Sequence, residues 1–384
     1  MNKSLINFIH NLYETDEFIP LHEPQFEGNE KKYVTDAIDS TYVSSSGYYV
    51  NKFEEDISVL TSCTKAVSLV NGTAALSLAM YMSNIRTGDL VITQPLTFIA
   101  TCNAIHHLGA SPIFIDISLD SLGLDPAAVL EFLEAHACID DDGNCVFKES
   151  GQKIKAIVPM HTFGHPVDLD QFTKICEDWN LILIEDAAES LGSLYKGKHT
   201  GSFGRFGALS FNGNKTITTG GGGMLLCSKS FEGERAKNLS TTAKLPHPYE
   251  FFHDEAGFNM RMPNLNAALG CAQLESLEKF LIAKKIIANS YREFFADTEA
   301  TFISQPEYAE SNYWLNAILC ADETSKNELL EYSNNQGVNM RPIWKLMYKL
   351  PMFSNAIKGE MGNAEKIESL LVNLPSSPKK AIRK

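Results

Sequence analysis

Ten residues constrain this chain more than any others: LILIEDAAES, from Leu181 to Ser190. Four consecutive apolar residues leave no polar face for water, so the run reads as a strand covered on both sides, the condition of a strand inside a parallel sheet. Parallel neighbours need crossovers, and the sequence supplies them. Strand-like runs recur at Val67 to Val70, Asp89 to Phe98, Ser111 to Ile117 and Lys155 to His161, alternating with helix-forming stretches such as Pro126 to His136 and Asp168 to Trp179. That alternation predicts an α/β fold built on a mainly parallel sheet with helices on both faces. The run ends in Glu185 and Asp186, and in such sheets ligands gather outside the carboxyl ends of the strands. An acid there either caps the next helix or holds a cationic ligand atom such as a protonated ring nitrogen.

Two further stretches bear on which it is. Lys215 lies in SFNGNKTITTGGGGM (Ser210 to Met224), between the apolar runs Gly207 to Phe211 and Gly223 to Cys227. One reading is a hairpin with lysine at its tip; the other is an amine partly desolvated between buried strands, which lowers its pKa and prepares it to attack a carbonyl. In VSLVNGTAALSLAM (Val67 to Met80), a short strand meets a helix former through Asn71-Gly72-Thr73. Free amides, a hydroxyl and the helix dipole would face one point there, which makes an anion site. Neither a GxxxxGK[ST] loop nor a GxGxxG after an early strand is present.

NGTAAL, TFIATCNAI (Thr97 to Ile105), EDAAES, SFNGNK and GFNMRMPNLNAALG (Gly257 to Gly270) together resemble the DegT/DnrJ/EryC1/StrS family of pyridoxal phosphate (PLP)-dependent sugar aminotransferases, from about Pro20 to near Ser377. IPLHEPQFEGNEKKYV (Ile19 to Val34) and RPIWKLMYKLPMF (Arg341 to Phe353) look most like the LegC-like branch, which aminates nucleotide-linked 4-keto-6-deoxy sugars for bacillosamine and legionaminic acid. The resemblance implies the PLP-dependent transferase fold type I (aspartate aminotransferase-like), with a large PLP-binding domain at 1–255 and a small α+β C-terminal domain at 256–384. It implies L-glutamate as amino donor and a homodimer with shared active sites. Lys215 would bond to the cofactor and move protons as acid and base, and Asp186 would hold the ring nitrogen protonated. Gly72, Thr73, Ala74 and Ser210 would bind the phosphate, Phe98 would stack on the ring, and Asn259 would reach the phosphate of the neighbouring subunit. Glu189 stands where many relatives carry Gln against the ring hydroxyl. Gly221 replaces the Glu of a common GEGG, and Tyr348 replaces a frequent His.

The resemblance leaves other chemistries in view: amination at C8 of a Kdo-type sugar acid, a PLP-dependent sugar dehydratase, and a PLP-binding regulator. The dehydratases carry His where this chain has Lys215. His161, after a strand end, is a second-tier candidate for touching cofactor or sugar.

The rest of the chain sets bounds. A net charge of −14 argues against nucleic acid or an anionic membrane as principal partner. Lys31, Lys32, Arg205 and Arg261 remain available for an anionic sugar nucleotide. No apolar run is long enough for a signal peptide or membrane span, which predicts a soluble, cytoplasmic protein. The eight cysteines are scattered without a CxxC pair, which predicts reduced thiols and no structural zinc or other metal. Cys138 to Gln152 reads as an exposed acidic excursion without calcium-loop spacing. Asn264 to Phe295 keeps helical spacing over many turns, and the tail after Ser377 is expected to fray.

Overall fold

The apolar runs become the strands of one eight-stranded sheet. In spatial order these are Lys65–Leu69, Gly223–Cys227, Phe206–Ser210, Ile182–Asp186, Ile154–Val158, Leu90–Thr93, Ser111–Phe114 and Ile357–Lys358. All neighbours pair in parallel except Gly223–Cys227, which is antiparallel to both strands beside it. The computed structural model describes residues 2–378, so 379–384 of the tail lie outside the described residues.

Continuous apolar character has the consequence expected of it. Leu183 packs into one hydrophobic cluster and Ile184 into another, so the central strand is covered on both faces. Helices Gly72–Met82, Ala100–His107, Pro126–His136 and Leu169–Asp178 supply that cover. Their starts are written locally: Asn71, Asp125 and Asp168 each accept a first-turn amide, and Pro126 occupies a position whose amide needs no partner.

A second, four-stranded antiparallel sheet follows in the order Thr301–Phe302, Asn316–Leu319, Leu371–Leu374, Arg341–Pro342. The first helix, Asn2–Tyr13, buries Leu5 and Ile9 in the same cluster as Tyr291, Ile318 and Val372. In return, Ile357–Lys358 extends the edge of the large sheet. Each body thus holds a segment from the far end of the chain.

Two expectations take a more particular form. The helical spacing from Asn264 to Phe295 holds, but not within one helix: it is carried by two, Asn264–Leu274 and Leu277–Phe295. The break is fixed from outside: the Glu275 carboxylate accepts from Asn29 Nδ2 at 2.8 Å and Tyr33 Oη at 2.6 Å, and the Ser276 amide turns back to the Gln273 carbonyl. Nor is the acidic excursion wholly exposed. Ala137–Ile139 and Cys145–Phe147 form a hairpin with Cys145 and Phe147 buried. All eight cysteines are free; six are buried, Cys63 is half-buried and Cys138 exposed. Among the described residues no helix is long and apolar enough to cross a membrane, and no group of three or more potential metal ligands occurs.

Candidate active site

Because seven of the eight strands run one way, their carboxyl ends share one edge. Gly223, the first residue of the reversed strand, lies on that edge too, and a cavity of about 350 Å³ opens there. It is lined by Gly72 and Thr73 after the first strand, Phe98 beyond Leu90–Thr93, Met160, Asp186 and Glu189, and Ser210 and Lys215. Trp314 and Trp344 close it from the C-terminal part of the chain.

The anion corner depends on a close approach. Gly223 lies so near the Asn71–Gly72 turn that a Cβ on it would sit 2.3 Å from the Asn71 carbonyl carbon and oxygen. Only glycine allows the reversed strand to back the turn. Asn71 caps the helix by accepting the Ala74 amide at 2.7 Å. The Ala74 amide is therefore taken and its side chain buried, whereas Gly72 and Thr73 stand in a first turn whose amides have no intrahelical acceptor.

Alternation along Ile182–Asp186 sends its two acids to opposite faces. Glu185 is fully buried and faces away from the cavity. Its Oε2 accepts the Gly201 amide at 2.6 Å and meets His161 Nε2 at 3.1 Å, while Oε1 accepts the amides of Phe203 at 2.7 Å and Gly204 at 2.8 Å. Burial pushes its pKa up, but the His161 hydrogen bond and these amides outweigh it and leave it below the usual carboxylate range. His161 is thus occupied with Glu185 rather than with the cavity. Its Nδ1 accepts the Val167 amide, which assigns the proton to Nε2.

Asp186 is the acid that faces the cavity. Oδ2 accepts from Thr101 Oγ1 at 2.6 Å and Oδ1 from the Ala188 amide at 3.2 Å. Burial raises its pKa above the ordinary range, because these bonds and the Lys215 charge offset only part of the desolvation. Lys215 sits on a loop closed by the Thr219 amide bonding back to the Phe211 carbonyl. Its Nζ lies 3.3 Å from Glu189 Oε1 and 3.7 Å from the centre of the Trp314 indole. The other Glu189 oxygen accepts the Phe163 amide at 2.9 Å, and burial raises the Glu189 pKa against the pull of Lys215.

Phe98 is half exposed at the mouth, edge-on to Trp344 at 6.3 Å. Asn259 is exposed, bridges to Thr241 and does not line its own chain's cavity. Arg205 pairs with Glu232 and Arg261 with Glu54, so Lys215 is the cationic side chain among the described lining residues. Sequence reasoning missed Thr101, Trp314 and Trp344. The first and last lie inside stretches quoted above, but nothing near Trp314 in the sequence points to Lys215.

The donor set fits an aromatic phosphate ester with an aldehyde. First-turn amides and hydroxyls gather at one end, a buried carboxylate lacking a cationic partner at hydrogen-bond distance stands in the middle, and a primary amine stands beside it. Comparison with known proteins agrees. The model of the DegT/DnrJ/EryC1/StrS aminotransferase family matches residues 24–381. The GDP-perosamine synthase of Escherichia coli O157:H7 is 34% identical, covering 94% of each chain. Among solved structures, the aminotransferase TlmJ of Streptoalloteichus hindustanus superposes with a TM-score of 0.85 at 23% identity, over 95% of this chain and 96% of that one. Helicobacter pylori PseC, an aminotransferase of pseudoaminic acid biosynthesis, gives 0.84 at 24% identity, over 94% of each. These likenesses give the fold, which is type I of the PLP-dependent transferases.

Proposed function

The chain belongs to the DegT/DnrJ/EryC1/StrS aminotransferase family of PLP-dependent sugar aminotransferases, and from that premise we propose that it moves an amino group from L-glutamate to a nucleotide-linked keto sugar. The substrate class proposed is a UDP-linked 4-keto-6-deoxy-HexNAc of the bacillosamine or legionaminic type. Three GDP-perosamine synthases, at 31–34% identity, support a nucleotide-linked sugar, and the two LegC-like stretches quoted above support the narrower choice.

One observation carries the residue assignment: the anion corner, Asp186 and Lys215 meet at one cavity on the carboxyl edge of the sheet. The amides of Gly72 and Thr73, with the hydroxyls of Thr73 and Ser210, would hold the phosphate. Ala74 contributes through the cap that shapes this turn. Asp186 would keep the ring nitrogen protonated, Phe98 would cover a ring face, and Glu189 would face the ring hydroxyl. Bound there, the cofactor supplies an electron sink for the carbon losing or gaining the amine. Lys215 would carry the proton between that carbon and the cofactor, a general acid–base role. Asn259, exposed and absent from the lining of its own cavity, is proposed to serve a partner's, which makes the active unit a homodimer, and the proposed compartment is the cytoplasm. The division at 255/256 belongs to the same proposal, with each domain lending the other a segment.

The test is spectroscopic. The purified protein's visible band should disappear on adding L-glutamate and return with the correct keto sugar. A band that ignores glutamate removes that donor, and one restored instead by a C8-keto sugar acid removes the nucleotide-sugar reading.

A further inference from the structure

Lys215 ends in the most flexible stem at the cavity, and its amine is useful only if it waits in one place while not covalently bonded. We infer that Trp314 is the positioning residue for that free amine: its indole face receives the ammonium while Glu189 pairs with it from another side. The distances are 3.7 Å to the ring centre and 3.3 Å to Glu189 Oε1. With the lysine side chain only 13% exposed, water does little to screen the attraction of the ring face.

The indole is itself immobilised. Trp314 is 4% exposed. Its Nε1 donates at 2.7 Å to the carbonyl of Asn214, the residue before the lysine. Its amide donates to Asn312 Oδ1 at 2.8 Å, and its carbonyl accepts from the buried Lys284 Nζ at 3.1 Å. Asn312 then reaches the other partner of the amine, because its Nδ2 donates to the carbonyls of Glu189 and Leu191, both at 2.9 Å. Tyr313, between the two, holds a left-handed φ of 46°, a conformation that costs a non-glycine residue and persists where its surroundings impose it. Across the turn, Gly164 is obligatory, since a Cβ there would lie 1.8 Å from Asn312 Oδ1. Residues 312–314 therefore tie together the lysine loop, the Glu189 loop and the ring beneath the amine.

The inference takes its meaning from the reading of Lys215 as the reactive amine, but its test separates the two. Full-length cofactor-free protein is mixed with pyridoxal phosphate in a stopped-flow instrument, and covalent capture is followed: the held ammonium gives its proton to solvent, the amine and aldehyde condense, and one water leaves. The rate saturates with concentration: half-saturation reports docking, and the plateau reports presentation of the amine. Trp314→Leu should lower the plateau roughly tenfold with half-saturation unchanged, and Trp314→Phe, which keeps a ring face, should recover most of it. A general loss of stability would lower Tm in both variants without that split. An unchanged plateau in Trp314→Leu, or Phe failing as badly as Leu, overturns the role. Should the Leu variant not fold, NMR of lysine-labelled wild-type protein decides, with Lys215→Ala for assignment. The ε-methylene protons of Lys215 should be shifted upfield by the ring current, and an ordinary shift refutes the placement. Absence of capture in the wild type would instead refute the reading of Lys215, while the ring-current result stands by itself.

Discussion

Glu185→Gln isolates the acid that the cavity does not use. Each carboxylate oxygen serves two donors: Oε1 those of Phe203 and Gly204, Oε2 those of Gly201 and His161. A glutamine keeps one oxygen and turns an NH2 toward the other pair, so two charge-assisted bonds are lost wherever the amide settles. At about 1.5–3 kcal/mol each, the cost is about 3–6 kcal/mol, which at about 2 °C per kcal/mol in a large domain lowers Tm by roughly 6–12 °C. The pH dependence checks the sign. The Glu185 pKa is lowered in the folded state. Its contribution is thus complete above the unfolded carboxylate value and is lost as pH falls through the folded one. Tm of both proteins, measured by differential scanning calorimetry from pH 7 downward, should differ most near neutrality and converge in acid. A gap that stays constant into the acid limb, or no gap at pH 7, would show that Glu185 is not the ionised hub of the loop after it.

Three other outcomes are expected. Lys215→Ala should abolish turnover and covalent cofactor attachment while circular dichroism stays unchanged; a variant transaminating at the normal rate removes the assignment. Asp186→Asn should make the cofactor-free protein more stable at neutral pH, by thermal melt. A carboxyl whose pKa is raised on folding costs stability once pH exceeds its unfolded value, and asparagine carries no such charge; kcat should meanwhile fall at least about a hundredfold. Gly223→Ala must move the reversed strand or the Asn71–Gly72 turn, so cofactor affinity by titration should drop at least about tenfold, and an unchanged affinity would dissociate this turn from phosphate binding.

What was legible in the sequence was whatever a short window contains. Strand Ile182–Asp186 is visible in its apolar run, helix Pro126–His136 in its Asp-Pro start, and the anion corner in Asn-Gly-Thr between strand and helix. Alternation could also have separated Glu185 from Asp186, but which of them faces the ligand depends on where Gly201 to Gly204 return to offer their amides. Trp314 was not legible, because its meaning lies in a contact with a residue 99 positions earlier. The break at Glu275 escaped for the same reason: uninterrupted periodicity is overridden there by Asn29 and Tyr33, far upstream.

The exchange of chain ends also bears on how ligands enter and leave. With Asn2–Tyr13 seated among C-terminal side chains and Ile357–Lys358 paired to Ser111–Phe114, hinge opening of the two bodies would have to pull a helix from its bed and unzip a sheet edge. Swinging apart is thus the costly route. What stands at the mouth outside that double clasp is the half-exposed Phe98 and, edge-on to it, Trp344.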